Sequence, residues 1–173
     1  MSVWDVLPDT ERQQWTLDPF VGAGPLRFGM SWNEASDALG GLRPADCRHD
    51  PRLAITWQVC RGAGLKLYFA ADAGLCGLSA DALRGPQVLA DGTALVARVP
   101  SELERWLFDR ADAREPFTEA FYMPGGEVGS LTLGVVLCVQ RAGDHLLTRP
   151  VLLSADVLDD AYHRLPVETW RIS

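Results

Sequence analysis

The chain has 173 residues, 47% of them hydrophobic and 23% charged, the proportions of an ordinary globular protein. At this length a core buries roughly 70% of the surface of the unfolded chain, so neither metal nor disulfides are needed for folding. The composition excludes disordered, collagen-like and coiled-coil classes, and the formal net charge of −7 argues against nucleic acid, whose phosphates require a clustered positive field.

Of the 16 cationic residues, 15 are arginine and Lys66 is the one lysine. With abundant Ala, Gly, Leu, Asp and Val, this skew reads as codon preference rather than arginine chemistry. Residues 1–11 carry neither a positive n-region nor an apolar h-region. The longest apolar run, residues 131–139, spans about nine positions where a bilayer-crossing helix needs roughly 20. The expectation is a cytoplasmic protein with no membrane segment, in which Cys47, Cys60, Cys76 and Cys138 are thiols.

Residues 9–17 read as a short helix leading into the fold, followed by a glycine-rich loop and extended stretch through Ser31. Ser31-Trp-Asn-Glu34 is a capping box, in which hydroxyl and carboxylate satisfy free amides reciprocally. Its helix is predicted over 32–39 and stops at Gly40-Gly41, where glycine takes the left-handed conformation without a Cβ penalty. A polar loop covers 43–52. Leu53, Ile55, Trp57 and Val59 then alternate with Ala54, Thr56, Gln58 and Cys60 in a half-buried strand. Turns at 61–64 and 71–74 separate further strands at 65–70 and 75–80, giving an antiparallel meander.

The plan then recurs. After a stretch at 87–99 broken by Asp91-Gly92, Ser101-Glu-Leu-Glu104 repeats the capping box and predicts a helix to about 113. Strands follow at 117–123, at 131–140 with Leu131, Leu133, Val135, Leu137 and Val139 on one face, and at 146–154, broken by Pro150. Leu153-Ser-Ala-Asp156 echoes Leu78-Ser-Ala-Asp81. The expected fold class is α+β, with two tandem units, 1–86 and 87–173, each a short helix packed on an antiparallel meander. The two could also form one continuous domain. Units that each leave a sheet face open would pack side by side to share a core.

The segment Leu26-Arg-Phe-Gly-Met-Ser-Trp-Asn-Glu-Ala-Ser-Asp-Ala-Leu-Gly40, followed by Cys47, Cys60 and an aromatic-rich strand, resembles a repeat of the beta-lactamase inhibitory protein and of small outer-membrane assembly lipoproteins. It also looks like actinobacterial proteins associated with toxin-neutralising immunity. The resemblance covers about 40 residues; the second cap reads Val99-Pro100-Ser101 in place of Gly-Met-Ser, and both named families are exported. It implies a tandem architecture, an inhibitory role, and a pairing of Cys47 with Cys60.

Asp46-Cys47-Arg-His49-Asp50, with Cys60 beyond, is the densest group of potential nucleophiles and ligands, but it lacks paired zinc spacing and proximity in sequence alone does not activate a thiol. A polar loop is the simpler reading. His145 and His163 are isolated, no G-x-S-x-G surrounds a serine, and Gly22-Ala-Gly-Pro-Leu-Arg-Phe-Gly29 fails the spacing of a phosphate loop. Asp159-Asp160 lacks the ligand spacing of a calcium loop. No catalytic residue, cofactor or metal site is assigned.

Surface remains. On the second helix Leu103, Trp106, Leu107 and Arg110 share a face and leave Phe108 roughly opposite. Thr56, Gln58, Cys60, Lys66 and Tyr68, with Thr132, Val136, Cys138 and Gln140, would form a mixed polar and aromatic sheet face turned away from the core. Such a face suits protein recognition. The candidate partner-binding residues are Trp57, Lys66, Tyr68, Phe108 and Tyr122. The expected function is a non-catalytic protein-binding module, most concretely an immunity or inhibitor protein occluding a toxin or enzyme, with the acidic balance steering it toward a basic partner. The alternative is a small-molecule binding protein or enzyme with a pocket between the units, using Tyr68, Trp57 or the His49 loop.

Overall fold

The computed structural model describes residues 2–113 and 119–173, and its class is α+β. In the first half the strands are β1 (Gln14–Asp18), β2 (Gly22–Ala23), β3 (Leu26–Arg27), β4 (Asp46–Asp50), β5 (Ile55–Cys60), β6 (Leu65–Ala70) and β7 (Gly74–Ala80). Helix α1 (Trp32–Ala38) precedes β4. The second half holds β8 (Gln87–Ala90), β9 (Thr93–Ala94), helix α2 (Pro100–Asp112), β10 (Ala120–Tyr122), β11 (Val128–Ser130), β12 (Val135–Ala142) and β13 (His145–Leu153). Two single-turn helices, α3 (Ala155–Leu158) and α4 (Ala161–Arg164), and a 3-10 turn at Val167–Thr169 end the described chain.

The first capping box forms as the sequence implies. Ser31 Oγ accepts from Glu34 N at 3.2 Å and Glu34 Oε2 accepts from Ser31 N at 2.8 Å. Gly40 and Gly41 follow at φ +77° and +80°. The second box does not form. Pro100 occupies the first helical position and Val99 the cap, because proline's fixed φ and missing N–H suit that site; Ser101 is thereby drawn inside the helix, and no side-chain cap bond is made.

Three other expectations change. The helix expected at 9–17 is a 3-10 turn, Asp9–Glu11, followed by β1, where buried Trp15 and Leu17 alternate with exposed neighbours at the period of a strand. The polar loop at 43–52 contains β4, an edge strand paired with β5 from Asp46↔Val59 to Asp50↔Ile55; an edge keeps its outer backbone in water, so polar and charged side chains suit it. The strand expected at 131–140 is interrupted: a turn at 131–134 leaves Leu131 exposed, and β12 begins at Val135. Phe117, at the start of the strand expected over 117–123, lies outside the described residues, and β10 begins at Ala120.

Pro150 does not break β13. Thr148 N bonds to Arg98 O and Ser154 N to Cys76 O, whereas Leu153 N bonds to Gly134 O beside β12. By the alternation of a strand, the amide that Pro150 lacks would point away from β12, so the eight-residue ladder from Val135↔Leu152 to Ala142↔His145 loses no bond.

The large sheet runs β10-β11-β12-β13-β7-β6-β5-β4. Each half of the chain thus supplies a helix followed by four strands, and the two meanders meet where β13 lies antiparallel to β7. A smaller sheet runs β3-β2-β1-β8-β9, with β1 and β8 parallel.

Both faces of the large sheet are covered, because alternate residues of each strand point to opposite sides. Leu67, Phe69, Leu78, Val135, Leu137 and Leu152 form one core with the small sheet, α1 and α2. Trp57, Tyr68, Val136, Cys138, Val151 and Leu153 form another with Val157, Ala161, Leu165 and Trp170 of the C-terminal segment. The expected solvated face therefore does not exist as such. Register also sorts its members differently: Trp57 lies opposite Tyr68 and Val59 opposite Lys66, so Thr56, Gln58 and Cys60 belong to the other side.

Buried polar groups bolt the layers together. Gln87, 1% exposed, accepts from Val88 N and Val96 N and donates to Asp9 Oδ1 and Val96 O. Arg12 donates to the carbonyls of Leu7, Ala82 and Gly85, and Asp9 pairs with Arg98.

Ser31→Ala is expected to lower unfolding stability by about 1 kcal/mol and Ser101→Ala to change it by less than about 0.5 kcal/mol, read from urea midpoints. Burial raises the Asp9 carboxyl, but hydrogen bonds from Arg98 and Gln87 and the charges of Arg98 and Arg12 outweigh it and hold the pKa below its ordinary 3.8. This contribution is complete above about pH 4 and fades as pH falls through the lower folded value. In acid unfolding followed by circular dichroism, Asp9→Asn should flatten that part of the stability profile.

Candidate functional site

The five residues expected to meet a partner separate into three places. Tyr68 is 2% exposed and Trp57 9%, both beneath the C-terminal segment, with burial pushing the Tyr68 phenol up. Neither offers surface. They were misread because the residues that cover them, 155–170, show only short, weakly periodic apolar groups in sequence.

Phe108 and Tyr122 come together. In α2, Leu103, Leu107 and Ala111 are buried against the core, four residues apart as a helix face requires. One position round, Glu104 and Phe108 share the neighbouring face. Phe108 is half-buried and its ring lies 5.8 Å from that of Tyr122, which stands on the edge strand β10. Tyr122 is 60% exposed, and its hydroxyl donates to Glu104 Oε1 at 3.3 Å. Partial desolvation, then the Glu104 carboxylate, raise the phenol's pKa.

The helix is anchored by Arg110, which bonds Asp91 Oδ2 at 2.7 Å, Thr132 Oγ1 at 2.9 Å and the buried carboxylate of Glu119. Arg110 thus joins α2 to the β8–β9 turn and to the chain entering β10. The aromatic pair is consequently held on a fixed frame, with one ring wedged against the core and the other in water.

Lys66 lies elsewhere, in a pocket of about 210 Å³ over the junction of the two meanders. Val59, Lys66, Ser79, Arg149 and Gln140 each come from a different strand of the large sheet and line it. Lys66 pairs in register with Ser79 and Val59. Burial, then the charge of Arg149, lower the Lys66 pKa. Sequence reasoning missed Arg149; the available signal was the one charge in the mostly apolar run 146–153.

The Asp46–Asp50 group is a strand, so its members alternate rather than converge. Arg48 Nε pairs with Asp46 Oδ2 at 3.0 Å and His49 Nδ1 bonds Thr56 Oγ1 at 3.0 Å. The pairing of Cys47 with Cys60 implied by the resemblance is not made. All four cysteines are free thiols, Cys47 exposed and the others buried; Cys47 lies opposite Gln58, two residues short of Cys60. His145 is exposed and His163 bonds Asp160 Oδ1 at 2.8 Å in solvent.

Among the described residues no helix is long and apolar enough to cross a membrane. No family model, curated protein or solved structure matches the chain.

Burial pushes the thiols of Cys76 and Cys138 up to about 11 and about 12, and that of Cys60 up as well. A thiol reagent at about pH 8 should therefore modify one cysteine quickly, identified by peptide mapping as Cys47, and the other three only after denaturation.

Proposed function

We propose that this chain acts without catalysis, by binding another protein through the face on which Phe108 and Tyr122 meet beside Glu104. The observation that carries the reading is Tyr122: a large aromatic ring 60% exposed, yet held by a ring contact and a hydrogen bond. A fixed aromatic loses little rotamer freedom on association and supplies much contact area. The acidic neighbour and the net charge of −7 favour a basic partner by steering its approach. An immunity or inhibitor protein occluding a basic toxin or enzyme is the most concrete form of this proposal.

Two tandem units, 1–86 and 87–173, are part of the same proposal. The offset of 75 residues between the two Leu-Ser-Ala-Asp motifs turns the pair Leu78↔Leu152 into Gly77↔Leu153, and both pairs occur in the β7–β13 register. This is the behaviour of a pseudo-two-fold axis between the meanders. The second unit would then be a copy that lost its cap to Pro100.

A photo-crosslinking amino acid placed at Tyr122 and, as a control, at exposed Val21 tests the reading in the source cell. Capture of one basic protein from position 122 alone, diminished at least fivefold by Glu104→Lys, is expected. Equal products from both positions, or capture indifferent to Glu104→Lys, would overturn it.

A further inference from the structure

The pocket over the β7–β13 junction concentrates positive charge in an acidic protein. Arg61, Lys66, Arg84 and Arg149 line it, and Asp81 is the one acidic side chain among its lining residues, whereas the whole chain has 16 Lys and Arg against 23 Asp and Glu. Asp81 is already engaged: Oδ1 accepts from Leu83 N and Arg84 N, and Oδ2 from Gln140 Nε2. Asp81 and Glu168 are both near enough to act on Lys66, and Ser173, the last residue of the sequence, also lines the pocket.

Arg149 is the unusual member. It is 3% exposed, and its guanidinium donates only to neutral acceptors, Ser79 Oγ at 2.9 Å, Thr169 O at 3.0 Å and Arg171 O at 3.2 Å. Its Nε is buried without a partner, and among the described residues no carboxylate lies within ion-pair distance. A buried charge is ordinarily paired. Beside it Lys66, the chain's one lysine, makes no hydrogen bond or ion pair among the described residues and lines the same pocket. Both cations sit on strands of the sheet rather than on loops, and low-dielectric walls focus their field into the pocket.

We infer that this pocket binds a small organic anion, whose carboxylate head is held by Lys66 in the field of Arg149 and whose body rests on Val59 and Leu83. A cavity of 150 Å³ takes benzene, and by proportion 210 Å³ holds about eight non-hydrogen atoms, so the ligand is a small metabolite rather than a nucleotide. The head group supplies the negative charge that the protein does not place beside Arg149. Arg61 and Arg84 stand at the lining as further donors.

Because the chain has one lysine, protein grown with ε-¹³C-lysine reports the pocket through a single side-chain resonance. Benzoate and inorganic phosphate are titrated separately, with affinity measured in parallel by calorimetry. The expected result is a saturable shift of the Lys66 signal by benzoate, with affinity at least tenfold weaker in Lys66→Met, retained within threefold in Lys66→Arg, and unchanged in the exposed control Arg52→Gln. Arg149 also holds the C-terminal segment, so Arg149→Gln is read only where its thermal transition matches the parent. Saturation by phosphate with none by benzoate would overturn the organic ligand. Absence of a saturable shift with either probe, or equal affinity in Lys66→Met and the parent, would overturn the site.

Discussion

The antiparallel contact of β7 with β13 is the constraint on which the rest of the molecule depends. Each half of the chain makes a four-strand meander by local turns, and each would end on an unpaired strand. Pairing Val151 with Ser79, Leu152 with Leu78 and Leu153 with Gly77 removes both free edges at once. The product is a sheet of eight strands, wide enough to carry a separate core on each side.

That width explains why so much apolar side-chain surface is consumed. Strand alternation sends Leu78 and Leu152 toward α1, α2 and the small sheet, and Val151 and Leu153 toward the C-terminal segment. Arg149, next on the second side, fastens that segment through the carbonyls of Thr169 and Arg171. The segment stops short of covering the end of the sheet, and the uncovered corner is the cationic pocket. On the opposite side α2 extends beyond the core by one helix face, where Phe108 leads outward to Tyr122. Both candidate sites thus lie where a covering layer ends.

Polar bonding keeps these layers in register more than it adds to the core. Gln87 satisfies both ends of its amide through Asp9, Val88 and Val96, and Thr148 links β13 to the chain leading into α2 through Leu95 O and Arg98 N. Leaving any of these groups buried and unpaired would cost more than each bond contributes. They therefore select this arrangement over other compact packings.

By itself the sequence determined what depends on neighbours in the chain. The Ser31 cap, the Gly40-Gly41 stop, the meander from Leu53 to Ala80 and the α+β class follow from capping chemistry, glycine's backbone freedom and a period of two. Its failures have equally local causes: proline at the first helical position displaced the Ser101 box, and the five-residue β1 was too short for its period to stand out. Of the candidate sites, Phe108, Tyr122 and Lys66 were legible as residues but not as places. Which residues oppose one another across strands, and that residues 155–170 fold back over Trp57 and Tyr68, only the tertiary structure decided. Register and layer coverage join positions far apart in the chain, and a period read along one strand carries no information about what will lie on top of it.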